Sequence, residues 1–316
     1  SQAIGGVVNV IDRRIPVATP EHGLHFEGMT AFDTANELRS GGLSIDAGLG
    51  EAFVLHVDGS YRETADLEIP GFQLSEALRA DLLADADEEE EEGEFEEAEE
   101  LREAAEQRGC VPNSATETWT INGGLGIILG ESTFGASVGY YDSSYGLVGN
   151  PEGGHHHGEE EHDEEEEHDD EEHGEEEEEN VSIGVEQLRV DFRGDIALGQ
   201  GTFSRLKLRG GYSDYTHTEF EGDEVGTVFD TETFEARAEL VQSSGGVIGT
   251  QFTSRDFSAV GAEAFVAPHD TTQIAIFTAQ EFDLDNFQIE AAARYEKVDV
   301  ENTIESIERN FDLFSG

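Results

Sequence analysis

One cysteine, one methionine, one tryptophan and six prolines occur among 316 residues. The lone Cys110 excludes a disulfide framework within the chain. Cations are scarce as well: 17 Lys and Arg stand against 73 Asp and Glu, for a formal net charge of −56. Nucleic-acid binding by phosphate neutralisation needs clustered Lys and Arg, so no nucleic-acid partner is expected. Long apolar runs are missing too. No segment approaches the roughly 18 consecutive apolar residues of a membrane-spanning helix. No signal peptide is visible, and the opening Ser1 reads as a mature product or a fragment. Catalytic signatures are absent: there is no G-x-S-x-G elbow, no P-loop and no H-E-x-x-H. Gly123-Gly-Leu-Gly126 falls within a strand pattern, not at a strand–helix turn. The expectation is a protein that is not an enzyme and uses no cofactor as a catalyst.

What is plentiful is glycine, at 37 residues, and phenylalanine, at 19. That pairing suits β-structure. Period-2 alternation recurs along the chain. Phe234, Ala236, Ala238 and Leu240 alternate with Glu235, Arg237 and Glu239; Leu206 and Leu208 alternate with Arg205, Lys207 and Arg209. Phe134, Ala136, Val138 and Tyr140 alternate with Gly135, Ser137 and Gly139. This periodicity predicts strands over 22–33, 41–50, 52–66, 117–130, 132–146, 183–198, 202–217, 229–242, 246–259, 271–284 and 286–300. Short turns separate some of them, and long separators, 70–116, 150–182 and 218–229, separate others. Strands of ten residues or more, short and long connections in alternation, and one apolar face per strand fit an antiparallel transmembrane β-barrel. A soluble sandwich would have strands nearer about 5–6 residues. The fold class expected is all-β, a partial barrel of about eleven strands.

Two acidic insertions interrupt the strands. Residues 81–106 hold 15 acidic residues, and residues 152–179 consist of 18 acidic residues, six His and four Gly. In the first, Leu74, Ala77, Leu78, Leu82 and Leu83, then Phe95, Ala98, Leu101 and Ala105, recur at helical spacing. This predicts two short helices over 73–109, joined by Asp87–Gly93 and packed at a barrel mouth. In the second, His155, His156, His157, His162, His168 and His173 lie among carboxylates that include Asp163 and Asp169. Imidazole with carboxylate and no thiolate suits Zn²⁺, Ni²⁺ or Cu²⁺. Intervals of five and six residues do not share a helix face at 100° per residue. Like charges at this density oppose compact order without cations. The expectation is a multivalent capture loop with interchangeable weak sites. An ordered site is expected elsewhere, at the far end of the seventh strand. There His217 and Glu219, two apart, point the same way along a strand, with Asp214 nearby. His22, His25 and His56 read as structural or interfacial, and His269 as a loop residue.

The opening Ser1-Gln-Ala-Ile-Gly-Gly-Val-Val-Asn-Val-Ile11 resembles the closing strand of the plug domain in TonB-dependent outer-membrane receptors. A closer resemblance is to the ZnuD-like zinc receptors of that family. It rests on Ala52-Phe-Val-Leu-His-Val-Asp-Gly-Ser-Tyr-Arg62, on Tyr212-Ser-Asp-Tyr-Thr-His-Thr-Glu219, and on Tyr145-Gly146 leading into the His- and acid-rich 150–180 stretch. The resemblance implies a barrel of about 22 strands enclosing a plug. Residues 1–16 would then be the end of the plug and 17–316 the N-terminal half of the barrel. It also implies an outer-membrane location in a Gram-negative bacterium, lipid against the wall, TonB and its inner-membrane energising complex as partners, and zinc as the transported ion. With the first strand running outward, loops after odd strands lie outside, and all three long separators fall there. Two other readings stand beside this one: a receptor of the same fold for a metal chelate (siderophore, haem or cobalamin), and a secreted metal-binding β-protein without a pore.

Overall fold

The computed structural model describes residues 12–148, 180–222, 224–261, 264–284, 287–302, 304 and 307–316. Their strands are β1 (Leu24–Phe32), β2 (Arg39–Leu49), β3 (Phe53–Thr64), β4 (Leu67–Phe72), β5 (Arg108–Val111), β6 (Thr116–Leu129), β7 (Ser132–Gly146), β8 (Val181–Ala197), β9 (Phe203–Glu221), β10 (Glu224–Gln242), β11 (Val247–Gly261), β12 (His269–Leu284), β13 (Phe287–Asn302) and β14 (Ile307–Ser315). Two helices, α1 (Glu76–Glu92) and α2 (Phe95–Glu106), lie between β4 and β5. Twelve strands form one antiparallel sheet in the order β1-β2-β3-β6-β7-β8-β9-β10-β11-β12-β13-β14. The β4–β5 pair carries the helices outside that sheet.

The sheet has a twelfth strand, β14, beyond the eleven expected. Its sequence puts Phe311 and Phe314 on opposite faces, which hides the alternation that marks the others. A second correction concerns 218–229, read from sequence as a long separator. Pairing of β9 with β10 continues to Glu221 and Glu224, with a register shift between Val225 and Thr227. Here Thr218, Phe220, Val225, Val228 and Phe229 favour strand, and Glu221 and Glu224 sit at its exposed tip. The 73–109 insertion does fold as two helices, but α1 runs through Asp87–Glu92 instead of breaking there. Glutamates are good helix formers, and the stop comes at Gly93, whose φ of 100° is left-handed. Ser75 caps the other end, its Oγ accepting from the Leu78 N–H at 3.3 Å. Leu82, Ala86, Ala98 and Ala105 are buried. Arg102 of α2 ties the hairpin to α1 through Asp87 at 3.1 Å and Glu90 at 2.5 Å.

Connections at one end of the sheet are short, as between β2 and β3, β6 and β7, β8 and β9, and β10 and β11. Gly50 and Gly130, with φ of 73° and 61°, supply the left-handed backbone that two of these turns need. The helical insertion and residues 147–180 connect strands at the opposite end. The two faces differ in kind. On one, Phe26, Leu43, Leu55, Ile121, Leu125, Val138, Val190, Phe192, Phe234 and Ile276 are large, apolar and exposed. A soluble protein does not leave such a surface bare. At its upper edge Tyr61, Trp119, Tyr140, Tyr212 and Phe234 form an aromatic row across β3, β6, β7, β9 and β10. Trp119 and Tyr140 stack at 5.1 Å. Trp119 to Leu129 covers ten residue steps, roughly 34 Å along the strand. At a tilt of about 40° this spans roughly 26 Å of membrane, close to the lipid-facing band of such barrels.

The other face is polar and faces the lumen. Residues 12–16 lie against it, passing over β6 and β7. Glycine is required there: a Cβ at Gly124 would overlap the carbonyl oxygen of Arg14, and one at Gly126 that of Pro16. Arg14 reaches Asp191 of β8 at 3.4 Å. Residues 1–11, which carry the plug-like motif, and the 150–180 loop fall outside the described residues, apart from Asn180. No helix among the described residues is long and apolar enough to cross a membrane.

Candidate functional site

His217 and Glu219 stand on the lumen face of β9, near the end where the long connections emerge. Strand register fixes their neighbours: His217 lies between Val185 of β8 and Phe229 of β10, and Glu219 between Ile183 and Thr227. The His217 ring packs edge-on against Phe229, with centroids 5.4 Å apart. Its Nε2 is buried, has no hydrogen-bond partner, and lies 3.7 Å from the nearer Glu219 oxygen. An imidazole nitrogen and a carboxylate oxygen thus converge without consuming each other in a hydrogen bond. Ile183 and Val185, both buried, wall the pair on the β8 side.

Asp214 is not part of this arrangement. It pairs with Leu188 and Glu232, and its odd spacing from His217 turns it to the lipid side. There it stands one step beyond the aromatic row, where the apolar band gives way to Glu186, Asp230 and Glu232. The capture-loop residues His155, His156, His157, His162, His168, His173, Asp163 and Asp169 lie outside the described residues. Among those described, no three His, Cys, Asp or Glu side chains are grouped to hold a metal ion. The His217–Glu219 pair therefore offers two donors, and further ligands would come from water or from elsewhere.

His56 is differently placed. It is 3% exposed, and its ring bonds Asp46 through Nδ1 at 2.6 Å and Asp58 through Nε2 at 2.8 Å. Asn122 donates to the other Asp58 oxygen at 2.9 Å. Both ring nitrogens are committed, so His56 is a strut joining β2 and β3. His25, at the edge, contacts Arg13 at 3.2 Å. Arg13 also pairs with Glu27. Residues 12–16 are thus pinned at several points. Burial pushes the Asp12 carboxyl up, but hydrogen bonds from the Arg14 side chain and backbone outweigh it, and the group sits below its ordinary value. This clip is intact above the carboxylate range and opens only as pH falls through it.

A feature that strand reading left undeveloped is a row of arginines deeper in the lumen. Arg193, Arg209 and Arg237 are direct cross-strand partners on β8, β9 and β10. The alternation of Arg205, Lys207 and Arg209 marks the polar face of β9, but register is needed to see that three strands bring Arg to one level. They line a cavity of about 440 Å³ with Arg14, Arg189, Asp12, Asp191, Glu235 and Gln251.

No family model matches the sequence. Among solved structures, the chain is similar to the copper transporter OprC, at 11% identity and a TM-score of 0.55. It is also similar to the FrpB iron transporter from Neisseria meningitidis (F3-3 variant), at 11% identity and a TM-score of 0.58. Each match covers 92% of this chain, but only 40% of the first structure and 42% of the second. At such identities the likeness concerns the fold. With a lipid-facing apolar band, an aromatic row and a polar lumen wall on one antiparallel sheet, the chain has the fold of part of an outer-membrane β-barrel.

Proposed function

We propose that the chain belongs to a TonB-dependent receptor that imports a divalent transition metal ion, zinc first. The observation that carries this reading is the His217–Glu219 pair: a buried, unpartnered imidazole nitrogen beside a carboxylate, on the lumen face at the outer end of a long strand. Neutral imidazole with carboxylate is a donor set that Zn²⁺ accepts, and Ni²⁺ and Cu²⁺ share the preference. The His- and acid-rich 152–179 stretch is the capture element, raising the local cation concentration above the pore by its charge. His217 and Glu219 then take the ion from that pool as ordered ligands, with water or other parts of the receptor completing the shell. TonB and its inner-membrane complex would supply the energy for release past residues 1–16. Two named metal transporters among the structures of similar fold support this reading, and so does the plug-like Ser1–Ile11 motif.

The test is radioactive zinc uptake by zinc-starved cells carrying the intact gene. His217→Ala is expected to lower uptake about tenfold or more, since even outer-shell partners of a metal are worth that much. Asp214→Asn, on the lipid side, leaves uptake unchanged. Removal of 152–179 lowers it only when zinc is scarce. Uptake that persists in full after deletion of the whole gene would end the zinc reading.

A further inference from the structure

The arginine row deeper in the lumen is not explained by cation import. Adjacent strands lie about 4.8 Å apart, so Arg193, Arg209 and Arg237 stand abreast over roughly 10 Å. Like charges directly opposite one another on a sheet are destabilising. A chain with 73 acidic residues has every means to neutralise them, and at this level it does so unevenly. Arg237 pairs with Glu239 at 2.5 Å and lies over the Phe277 ring at 4.3 Å. Arg205, two layers below, pairs with Asp195 at 2.6 Å. Arg193 and Arg209 form no ion pair with any described carboxylate. The Arg193 Nε is buried and lacks a hydrogen-bond partner. Among the described residues, Arg209 donates only to the backbone carbonyls of Leu208 at 2.9 Å and Gly194 at 3.4 Å, both through Nη1. Of the cavity's three carboxylates, Asp12 and Asp191 are engaged by Arg14 and Arg189. Only Glu235 is left facing the row.

We infer that this cleft is a binding site for a small polycarboxylate anion. Two unpaired guanidinium groups side by side, with a third beyond, match carboxylates carried on one short carbon skeleton, since each Arg fork takes one carboxylate in a bidentate grip. A single phosphate is too small to bridge the row. The site lies on the wall facing residues 12–15, so an occupant is held between the barrel and that segment. This goes beyond the metal-ion reading and does not depend on His217 or Glu219.

The test is equilibrium dialysis of radiolabelled citrate against the intact protein in uncharged detergent micelles at physiological salt. Saturable binding of one citrate per chain is expected. Arg193→Gln and Arg209→Gln should each weaken it about tenfold or more, the scale of a charged hydrogen-bonded contact. Arg209→Lys, which keeps the charge and loses the fork, should fall between. His217→Ala should leave it unchanged, so failure here and failure of the zinc reading are told apart. Removing a like charge should spare folding, and heat-modifiable gel migration of each variant verifies that. Competition by zinc–citrate and by free citrate then distinguishes a metal-loaded from a metal-free source of the same anion, and either preference supports the site. Inorganic phosphate should compete poorly. Absence of saturable citrate binding, or binding untouched by Arg193→Gln and Arg209→Gln, overturns the inference.

Discussion

At the scale of single residues, parity along a strand decides what a side chain can do. His217 and Glu219 could be paired from the sequence because residues two apart share a face. The same rule removes Asp214, three residues from His217, and the structure places it among the acids that end the lipid-facing band. The arginine row was legible only in part. Arg205, Lys207 and Arg209 are plainly one face of β9, but their level relative to Arg193 and Arg237 depends on register, which turn geometry sets. His56 shows the limit from the other side: nothing in Leu55-His-Val57 says that Asp46, ten residues earlier, will lie opposite. With both ring nitrogens bonded to carboxylates, removing the ring leaves two acids facing each other in a half-buried setting. His56→Leu is therefore expected to destabilise the folded barrel by about 3 kcal/mol. Urea unfolding in detergent, followed by the emission of the single Trp119, would measure it. An unchanged midpoint would mean that solvent already screens Asp46 and Asp58.

At the scale of elements, hydrophobic alternation located all eleven expected strands of the main sheet to within a few residues. It failed where the pattern was blurred by apolar residues on both faces, as in β14. It also failed where acids masked a β-prone backbone, as at the β9–β10 tip. The helical insertion was legible from its leucines, but its break was not, because a run of glutamates reads as a charged linker while its propensity is helical. That helix carries its own electrostatic penalty. Half-buried Glu89 has its carboxyl pushed up by desolvation, then by Glu97, Glu92, Glu94 and Glu88. A raised carboxyl favours the folded hairpin while it is protonated, and the contribution is lost as pH rises through the raised value. Glu89→Gln, uncharged throughout, is expected to raise the melting temperature of the 222 nm helical signal at pH 7. The advantage should vanish near pH 4, where the wild-type residue is also protonated. A gain that is the same at both pH values would assign the effect to propensity instead of charge.

For the whole molecule, the ordering principle is inverted relative to a soluble domain: large apolar side chains are exposed on one face of the sheet, and polar ones line the opposite, lumen face. That inversion predicts an asymmetry between neighbours in sequence. Val190→Arg, on the lipid face, should cost about 2–4 kcal/mol in folding into lipid vesicles, the cost of a cation near mid-membrane, falling toward zero nearer the interface. Gln187→Arg, on the lumen face of the same strand, should cost little. Equal costs for the two would contradict the assigned faces.

The uneven height of the wall has its own consequence. β9 and β10 are 19 residues each, against nine and eleven for β1 and β2. From Tyr212, where the apolar band closes, to Glu221 is nine residue steps, roughly 30 Å of strand. In the orientation proposed for the chain, the β9–β10 hairpin thus stands well above the lipid headgroups. In that orientation Glu221 and Glu224, at its exposed tip, would meet an antibody or protease arriving from the medium, and the turns at Gly50 and Gly130 would lie on the far side of the membrane.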